Sequence, residues 1–344
     1  MLDRTPSNLD TAAEATLRAI GIASGHYSAR ALHLVADLGL ADLIGSDHVS
    51  CSQLAATAGV DERALLRILR MLAPHDVFVE AEDQLFTLGL VGHALRSGGP
   101  FDAATAVRML ARSGMWAAAD NLAESVRSGA PTLESRRNKP LYQADAPDRA
   151  DRLAAAMAAF SAGLHERVAT DWDFSSASLV VDVGGSTGLL LESVLRANSH
   201  LGGLLFDRPP TADLAERRLA AVGLADRCRV IGGDFFHAVP AGGDVYVLAH
   251  VVLDWGDSDA VRILANIRHV LGPQGRLLII EPISGEAGSE LHAGMFDAIL
   301  MTATWGGCRS RQEHGELLAR AGLTLRSVTP LGRIASLIEA VVAD

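Results

Sequence analysis

The stretch LVVDVGGSTG, positions 179–188, constrains this chain more than any other. Leu179, Val180, Val181 and Val183 form a short apolar run, the pattern of a strand buried on both faces of a parallel sheet. Gly184, Gly185 and Gly188 crowd the turn that follows, and LLLESVLRA then takes up helical spacing. A strand, a glycine-rich turn and a helix make the first half of a nucleotide-binding α/β unit. The glycine spacing narrows the ligand. A dinucleotide fingerprint reads G-x-G-x-x-G, but counting from Gly184 its later glycine positions hold Ser186 and Leu189, and no Walker lysine is present. What remains is D-x-G-G-x-x-G, with Asp182 ahead of the glycines. A carboxylate there repels a pyrophosphate and accepts bonds from an ammonium group. A second apolar run, GLLFD, ends at Asp207, where a carboxylate at the tip of the second strand suits both hydroxyls of a ribose. The bland alternative is an ordinary βαβ unit whose acids cap helices.

The rest of the chain extends this unit. CRVIGGDFF places a short strand, Arg229 to Ile231, before Asp234 and Phe235. That pair suits an adenine, the acid accepting from its exocyclic amine and the ring stacking on it. DVYVLAHVVLDW reads as the fourth strand, running into a helix near Asp257, and GRLLIIEP as the fifth, ending at Glu281. GMFDAILMTATWGG is helical and apolar, and LTLRSVTP and ASLIEAVVA close the sheet. Upstream, residues 11–24 and the following HYSARALHLVADLGLADLI have helical apolar spacing. CSQLAATAGV and DERALLRILRMLAPHDV then form a helix–turn–helix, with Asp61 as N-cap of the second helix. VFVEAEDQLFTL reads as a hairpin. Helix–turn–helix plus a wing also suits a DNA reader, and the second helix carries Arg63, Arg67 and Arg70, but its surroundings are acidic and the hairpin is not basic. Residues 101–130 are helical, SGAPTLESRRNKPLYQADAPD is a polar loop, and DRLAAAMAAFSAGLHERVATDW is a helical link. Met157 and Ser161 share one face of that link, four residues apart.

VDVGGSTG, LLFDRPP, GGDFF, LDW and GRLLIIEP occur in this order along nearly the whole chain. The chain thereby resembles the small-molecule O-methyltransferases that use S-adenosylmethionine, a group of plant caffeate-type and bacterial polyketide-tailoring enzymes. The resemblance implies an α/β fold: a Rossmann-like cofactor domain with a mostly parallel seven-stranded sheet, preceded by an all-α, winged-helix dimerisation domain. Its implied extents are 1–100 for the dimerisation domain, 101–165 for a helical linker and substrate region, and 166–344 for the catalytic domain. It implies S-adenosylmethionine at Met157, Ser161, Asp182, Gly184, Gly185, Asp207 and Arg208, and at Gly233, Asp234, Phe235, Phe236, Ala249, His250 and Trp255. It implies a small aromatic acceptor near Trp116, Leu253, Asp254, His292, Met295, Phe296, Met301 and Trp305.

The chain departs from the family pattern where the chemistry should be. The family usually has a histidine, as general base, immediately before the Asp-Trp pair. Here Leu253 precedes Asp254 and Trp255. The usual acidic partner after the GG pair is also missing, because Cys308 follows Gly306 and Gly307. Glu281 remains as the acid after the fifth strand. His250, three residues before Leu253, and His292, in the segment that should roof the pocket, are the other candidates to handle a proton. His237, after GDFF, reads as a loop residue. The anthracycline branch of the family looks similar, with a leucine at the same place, and includes both a methyltransferase working by proximity and a relative turned to hydroxylation. Two expectations follow. One is methylation of a small aromatic metabolite, O-methylation by proximity. The alternative is a non-methylating tailoring enzyme (hydroxylase, decarboxylase or pericyclase) that keeps the cofactor.

Composition sets the remaining bounds. The chain has 344 residues, 49% hydrophobic, enough for two ordinary domains. A formal net charge of −11 argues against nucleic acid or an anionic membrane as partner. Cys51, Cys228 and Cys308 lack metal or disulfide spacing, no metal site is expected, and a reducing cytoplasm fits. Residues 1–10 are polar and acidic rather than a signal peptide, and no apolar run approaches membrane-spanning length. The apolar N-terminal helices imply a homodimer.

Overall fold

Alanine and leucine at helical spacing carry the N-terminal segment through a single 30-residue helix, α1 (Asn8–Asp37). The computed structural model describes residues 8–98, 103–111, 113–133, 157–161, 163–286 and 290–343, in two units, Met1–Arg112 and Ser113–Asp344. In the first unit, α1 is followed by α2 (Leu40–Ile44), a short strand β1 (Val49–Ser50), α3 (Cys51–Ala58) and α4 (Glu62–Leu72). Ser50 and Gln53 form a reciprocal capping box at α3, and the Asp61 carboxylate caps α4 by accepting from the Ala64 N–H at 2.8 Å. Gly59, in the left-handed region at φ 68°, makes the turn between them. Leu65, Leu69 and Leu72 sit on one face of α4 and are buried. Strands β2 (Phe78–Glu80) and β3 (Leu85–Leu88) form the hairpin, to which β1 adds a third strand in the order β1-β3-β2. The unit closes with α5 (Leu90–Ala94) and α6 (Ala103–Leu110). Leu17, Ile20, Ile22 and Tyr27 of α1 stay exposed.

The second unit begins with α7 (Ser113–Asp120), α8 (Leu122–Ser128) and α9 (Leu164–Asp171). Most of the polar loop and the start of the helical link, residues 134–156, lie outside the described residues. The sheet strands are β4 (Leu179–Val183), β5 (Gly202–Asp207), β6 (Cys228–Gly232), β7 (Val245–Ala249), β8 (Arg276–Glu281), β9 (Leu323–Leu331) and β10 (Ala335–Val342). Their order is β6-β5-β4-β7-β8-β10-β9, parallel from β6 to β8, with β10 antiparallel to both its neighbours. Helices α10 (Leu189–Ala197), α11 (Pro209–Ala221), α12 (Asp257–Val270), α13 (Glu290–Ala303) and α14 (Arg311–Arg320) complete the unit. The parallel strands are apolar on both faces because both are covered. Val180 joins one core cluster, with Leu191, Leu195 and Leu205, while Val181 and Val183 join the other, with Ile263, Ile267 and Ile279. The chain leaves β4 for β5 and β6 on one side and returns to β7 and β8 on the other. That reversal opens a crevice at the C-terminal ends of the strands, where ligands bind in such sheets.

Candidate active site

The crevice holds a cavity of about 990 Å³, at the upper end of the roughly 300–1,000 Å³ of small-molecule sites. Its wall at the end of β4 is the glycine turn. Gly188, at φ 79°, starts α10 in a conformation that side-chain-bearing residues resist. A Cβ on Gly185 would stand 2.6 Å from a carboxylate oxygen of Asp182. Asp182 itself is 1% exposed, and neither of its oxygens has a hydrogen-bond partner among the described residues. Burial, and then the charge of Asp207, push its pKa up to about 7. A buried carboxylate without partners is costly unless a ligand supplies them, and an ammonium group fits this one. Asp207, at the tip of β5, is fixed by two backbone donors: Ser186 N–H to Oδ2 at 2.9 Å and Arg208 N–H to Oδ1 at 2.7 Å. Burial raises its pKa against these bonds. The Thr211 side chain bonds the carboxylate as well, and the carboxylate's remaining acceptor capacity is open to a ribose hydroxyl.

The other end is aromatic. Phe235, Phe236 and Trp255 meet edge to face, with centroids 5.0 Å apart for Phe235–Phe236 and 4.7 Å for Phe236–Trp255. The Arg262 guanidinium lies 5.5 Å from the centre of the Phe236 ring. Asp234 is folded onto its own loop, accepting from the Phe236 N–H at 2.8 Å and facing His237 Nδ1 at 2.9 Å. It lines the cavity with a half-exposed carboxylate.

Where the family's base would stand, the side chains are apolar. Leu253, in the 3-10 turn Val252–Asp254, is 1% exposed and packs with Leu300, Cys308 and Phe296. The leucine and the cysteine that stand at the two altered positions therefore belong to one small cluster. Burial, with the charges of Asp297 and Glu281, pushes the Cys308 thiol up to about 12, so it stays protonated. Residues 306–309 clamp this turn. Gly306 leaves no room for a Cβ, which would come 1.9 Å from the Leu253 carbonyl oxygen. Gly307 donates to that same oxygen at 2.9 Å. Arg309 donates to the carbonyls of Val252 and Trp255 and pairs with Asp257.

Glu281, expected beside the reaction, has a different place. It is fully buried, lines none of the cavity, and accepts from the Leu253 N–H at 3.1 Å and from His314 Nε2 at 2.7 Å. His314 Nδ1 faces the Ser310 carbonyl at 3.0 Å. With an oxygen acceptor at each ring nitrogen, the imidazolium is the favoured form. Burial would lower the His314 pKa, but Glu281 and Ser310 outweigh it and raise it. Glu281 thus fixes the turn through an ion pair with α14 rather than facing an acceptor.

All the residues expected at the cofactor line this one cavity, including Met157, Ser161, Arg208, Gly233, Ala249 and His250. His250 takes a strained left-handed backbone, φ 52°, and burial holds its pKa down at about 4. Of the expected acceptor residues, Asp254 and Phe296 line the cavity. Leu253 lies behind it. His292 stacks on Phe296 at 5.9 Å without lining the cavity, and burial lowers its pKa. Met295, 61% exposed on α13, and Trp305, 60% exposed beyond the end of that helix, face outward. Trp116 and Met301 are half-buried outside the cavity wall. Among residues not anticipated, Phe160, His165, His237 and Arg262 line it. The spacing that linked Met157 to Ser161 reaches His165 when extended by four. Among the described residues, no group of three or more histidines, cysteines and acids could hold a metal ion.

Residues 120–324 match the O-methyltransferase domain and residues 20–97 the O-methyltransferase dimerisation domain. The chain belongs to the O-methyltransferase family. It is 36% identical over 338 residues, 96% of each chain, to the mitomycin biosynthesis 6-O-methyltransferase of Streptomyces lavendulae. It is 37% identical over 314 residues, 90% of each chain, to the 8-amino-8-demethylriboflavin N,N-dimethyltransferase of Streptomyces davaonensis. Its fold matches a methyltransferase of calicheamicin biosynthesis, solved with S-adenosylhomocysteine bound, at a TM-score of 0.86 and 32% identity, covering 98% of this chain and all of that one. The protein is a methyltransferase with S-adenosylmethionine as its cofactor. The residues present fit that group: an orphaned acid for its ammonium, a fixed acid for its ribose and an aromatic slot for its adenine. When bound, it supplies an electrophilic methyl group on a sulfonium. Asp182, Asp207 and the Phe235, Phe236 and Trp255 rings would hold it by its ammonium, ribose and adenine.

Proposed function

We propose that this enzyme methylates a hydroxyl of a small aromatic secondary metabolite by proximity, without a histidine base at the usual place. The observation that carries this reading is the apolar cluster of Leu253, Leu300 and Cys308. A positioned base contributes about 10²–10⁴ in rate, whereas holding the partners in register supplies effective molarities of about 10⁵–10⁸ M. Positioning therefore suffices for an acceptor that ionises readily. Phe160, Phe296 and Met157 offer flat and polarisable walls for an aromatic ring beside His250. Of the relatives named above, one is a 6-O-methyltransferase of mitomycin biosynthesis and one an N,N-dimethyltransferase of 8-amino-8-demethylriboflavin. Both transfer methyl groups, which supports methylation over the non-methylating alternative. Incubation with S-adenosylmethionine and a panel of phenolic polyketides, read by mass spectrometry, should give product heavier by one methyl group together with S-adenosylhomocysteine. Turnover without that mass gain would overturn the reading.

The working form in this proposal is a cytoplasmic homodimer. The match of residues 20–97 to the dimerisation domain supports it, as do the exposed apolar side chains of Leu17, Ile20, Ile22 and Tyr27. Among the described residues, no helix is long and apolar enough to cross a membrane. Light scattering at micromolar concentration should report twice the 36.2 kDa chain mass, and a monomer would contradict the dimer.

A further inference from the structure

The methionyl end of the cofactor is a zwitterion, and the site so far accounts for only half of it. Asp182 is a buried acceptor suited to the ammonium group. The carboxylate needs donors, and most of those nearby are engaged. In the glycine turn, the Gly184 N–H bonds the Phe206 carbonyl at 2.7 Å, the Ser186 N–H bonds Asp207 and the Gly188 N–H bonds Gly185 at 2.9 Å. Arg218, the cation beside the turn, is bound to Glu192 and donates to the Thr187 carbonyl at 3.3 Å.

We infer that His165 receives the carboxylate of the cofactor's methionyl end, opposite Asp182; this rests on the cofactor reading above. His165 lines the same cavity as Asp182 and the turn residues Ser186 and Thr187. It sits in the first turn of α9, where Gly163, at φ 70°, ends the preceding segment and redirects the chain. It shares that cavity with His250, which follows the end of β7. It has no hydrogen-bond partner among the described residues. The start of a helix also favours an anion. Burial holds the ring neutral, with a pKa of about 4, so it offers one N–H and adds no cation beside a sulfonium.

Calorimetry on the full chain tests this with two probes. S-adenosylhomocysteine carries the amino-acid end, and 5′-methylthioadenosine keeps the adenosine and thioether but lacks it. His165→Phe should weaken the first about tenfold or more, the loss of a hydrogen bond to a charged group, and leave the second within about twofold. His165→Asn, which retains a donor, should recover most of the difference. Equal weakening of both probes would assign His165 to holding the cleft and overturn the inference. Unchanged affinity for both would overturn it too, even if turnover fell, since His165 would then act on the acceptor. If the wild-type chain bound neither probe, the cofactor reading itself would fall, and that failure is visible before any variant is made.

Discussion

Replacing Asp207 with alanine should weaken S-adenosylhomocysteine binding about 100-fold or more by calorimetry, with the circular dichroism spectrum unchanged. The estimate takes two charge-assisted bonds to a ribose diol at roughly 1.5–3 kcal/mol each, and about 1.4 kcal/mol corresponds to tenfold in affinity. The two backbone donors that fix the carboxylate, from Ser186 and Arg208, let it meet the diol without loss of rotamer freedom. Asp207→Asn keeps an acceptor and should fall between wild type and alanine. Asp182 adds a pH signature. Its pKa is raised to about 7 by burial and then by the charge of Asp207. As pH falls through about 7, Asp182 takes up a proton and the ammonium loses its acceptor, so affinity should fall with it. Removing the Asp207 charge lowers that midpoint, so the alanine variant should hold its residual affinity to lower pH. Unaltered affinity at neutral pH would mean that β5 does not carry the ribose contact.

Asp182, Asp207 and Phe235 were legible because each stands at a strand end that apolar periodicity locates, and the crevice of a parallel sheet gathers those ends. The winged arrangement was legible for the same reason: caps such as Asp61 and the left-handed Gly59 are local signals. Other features depend on partners far away in sequence. Glu281 looks like a cleft acid until His314, on α14, takes it into a buried ion pair. Asp234 is a local exception, its carboxylate engaged by Phe236 and His237 of its own loop. Helix α13 is apolar over much of its surface, so its sequence does not reveal that Phe296 faces the cavity while Met295 faces out. His165 stands one further step of four along the spacing that joins Met157 to Ser161, but a histidine in a helical link carries no signal of its own.

The pH dependence of kcat/KM should follow the acceptor rather than the enzyme. With Leu253 in an apolar cluster and the Cys308 thiol pushed up to about 12, nothing at the usual position takes a proton near neutral pH. For an unperturbed phenol the rate should rise toward ~10, and for more acidic analogues the rise should move down with the substrate's own ionisation. No limb should stand near ~6.5, where an ordinary histidine titrates. The rival is His250, whose burial places its limb near about 4. That limb would stay fixed across analogues and vanish in His250→Ala. His292, lowered by burial, is tested in the same way by His292→Ala. A substrate-independent limb lost in either variant would sink the proximity mechanism. The constructive test restores what the cluster replaced. Leu253→His combined with Cys308→Asp puts an imidazole and an acid into one cluster, on a turn already fixed by Glu281 at the Leu253 N–H and by Gly307 at its carbonyl. The pair should add a substrate-independent limb and raise the rate below the phenol's pKa by up to about 10²–10⁴. The single Leu253→His should gain less, because without an acid beside it the buried ring loses basicity to desolvation.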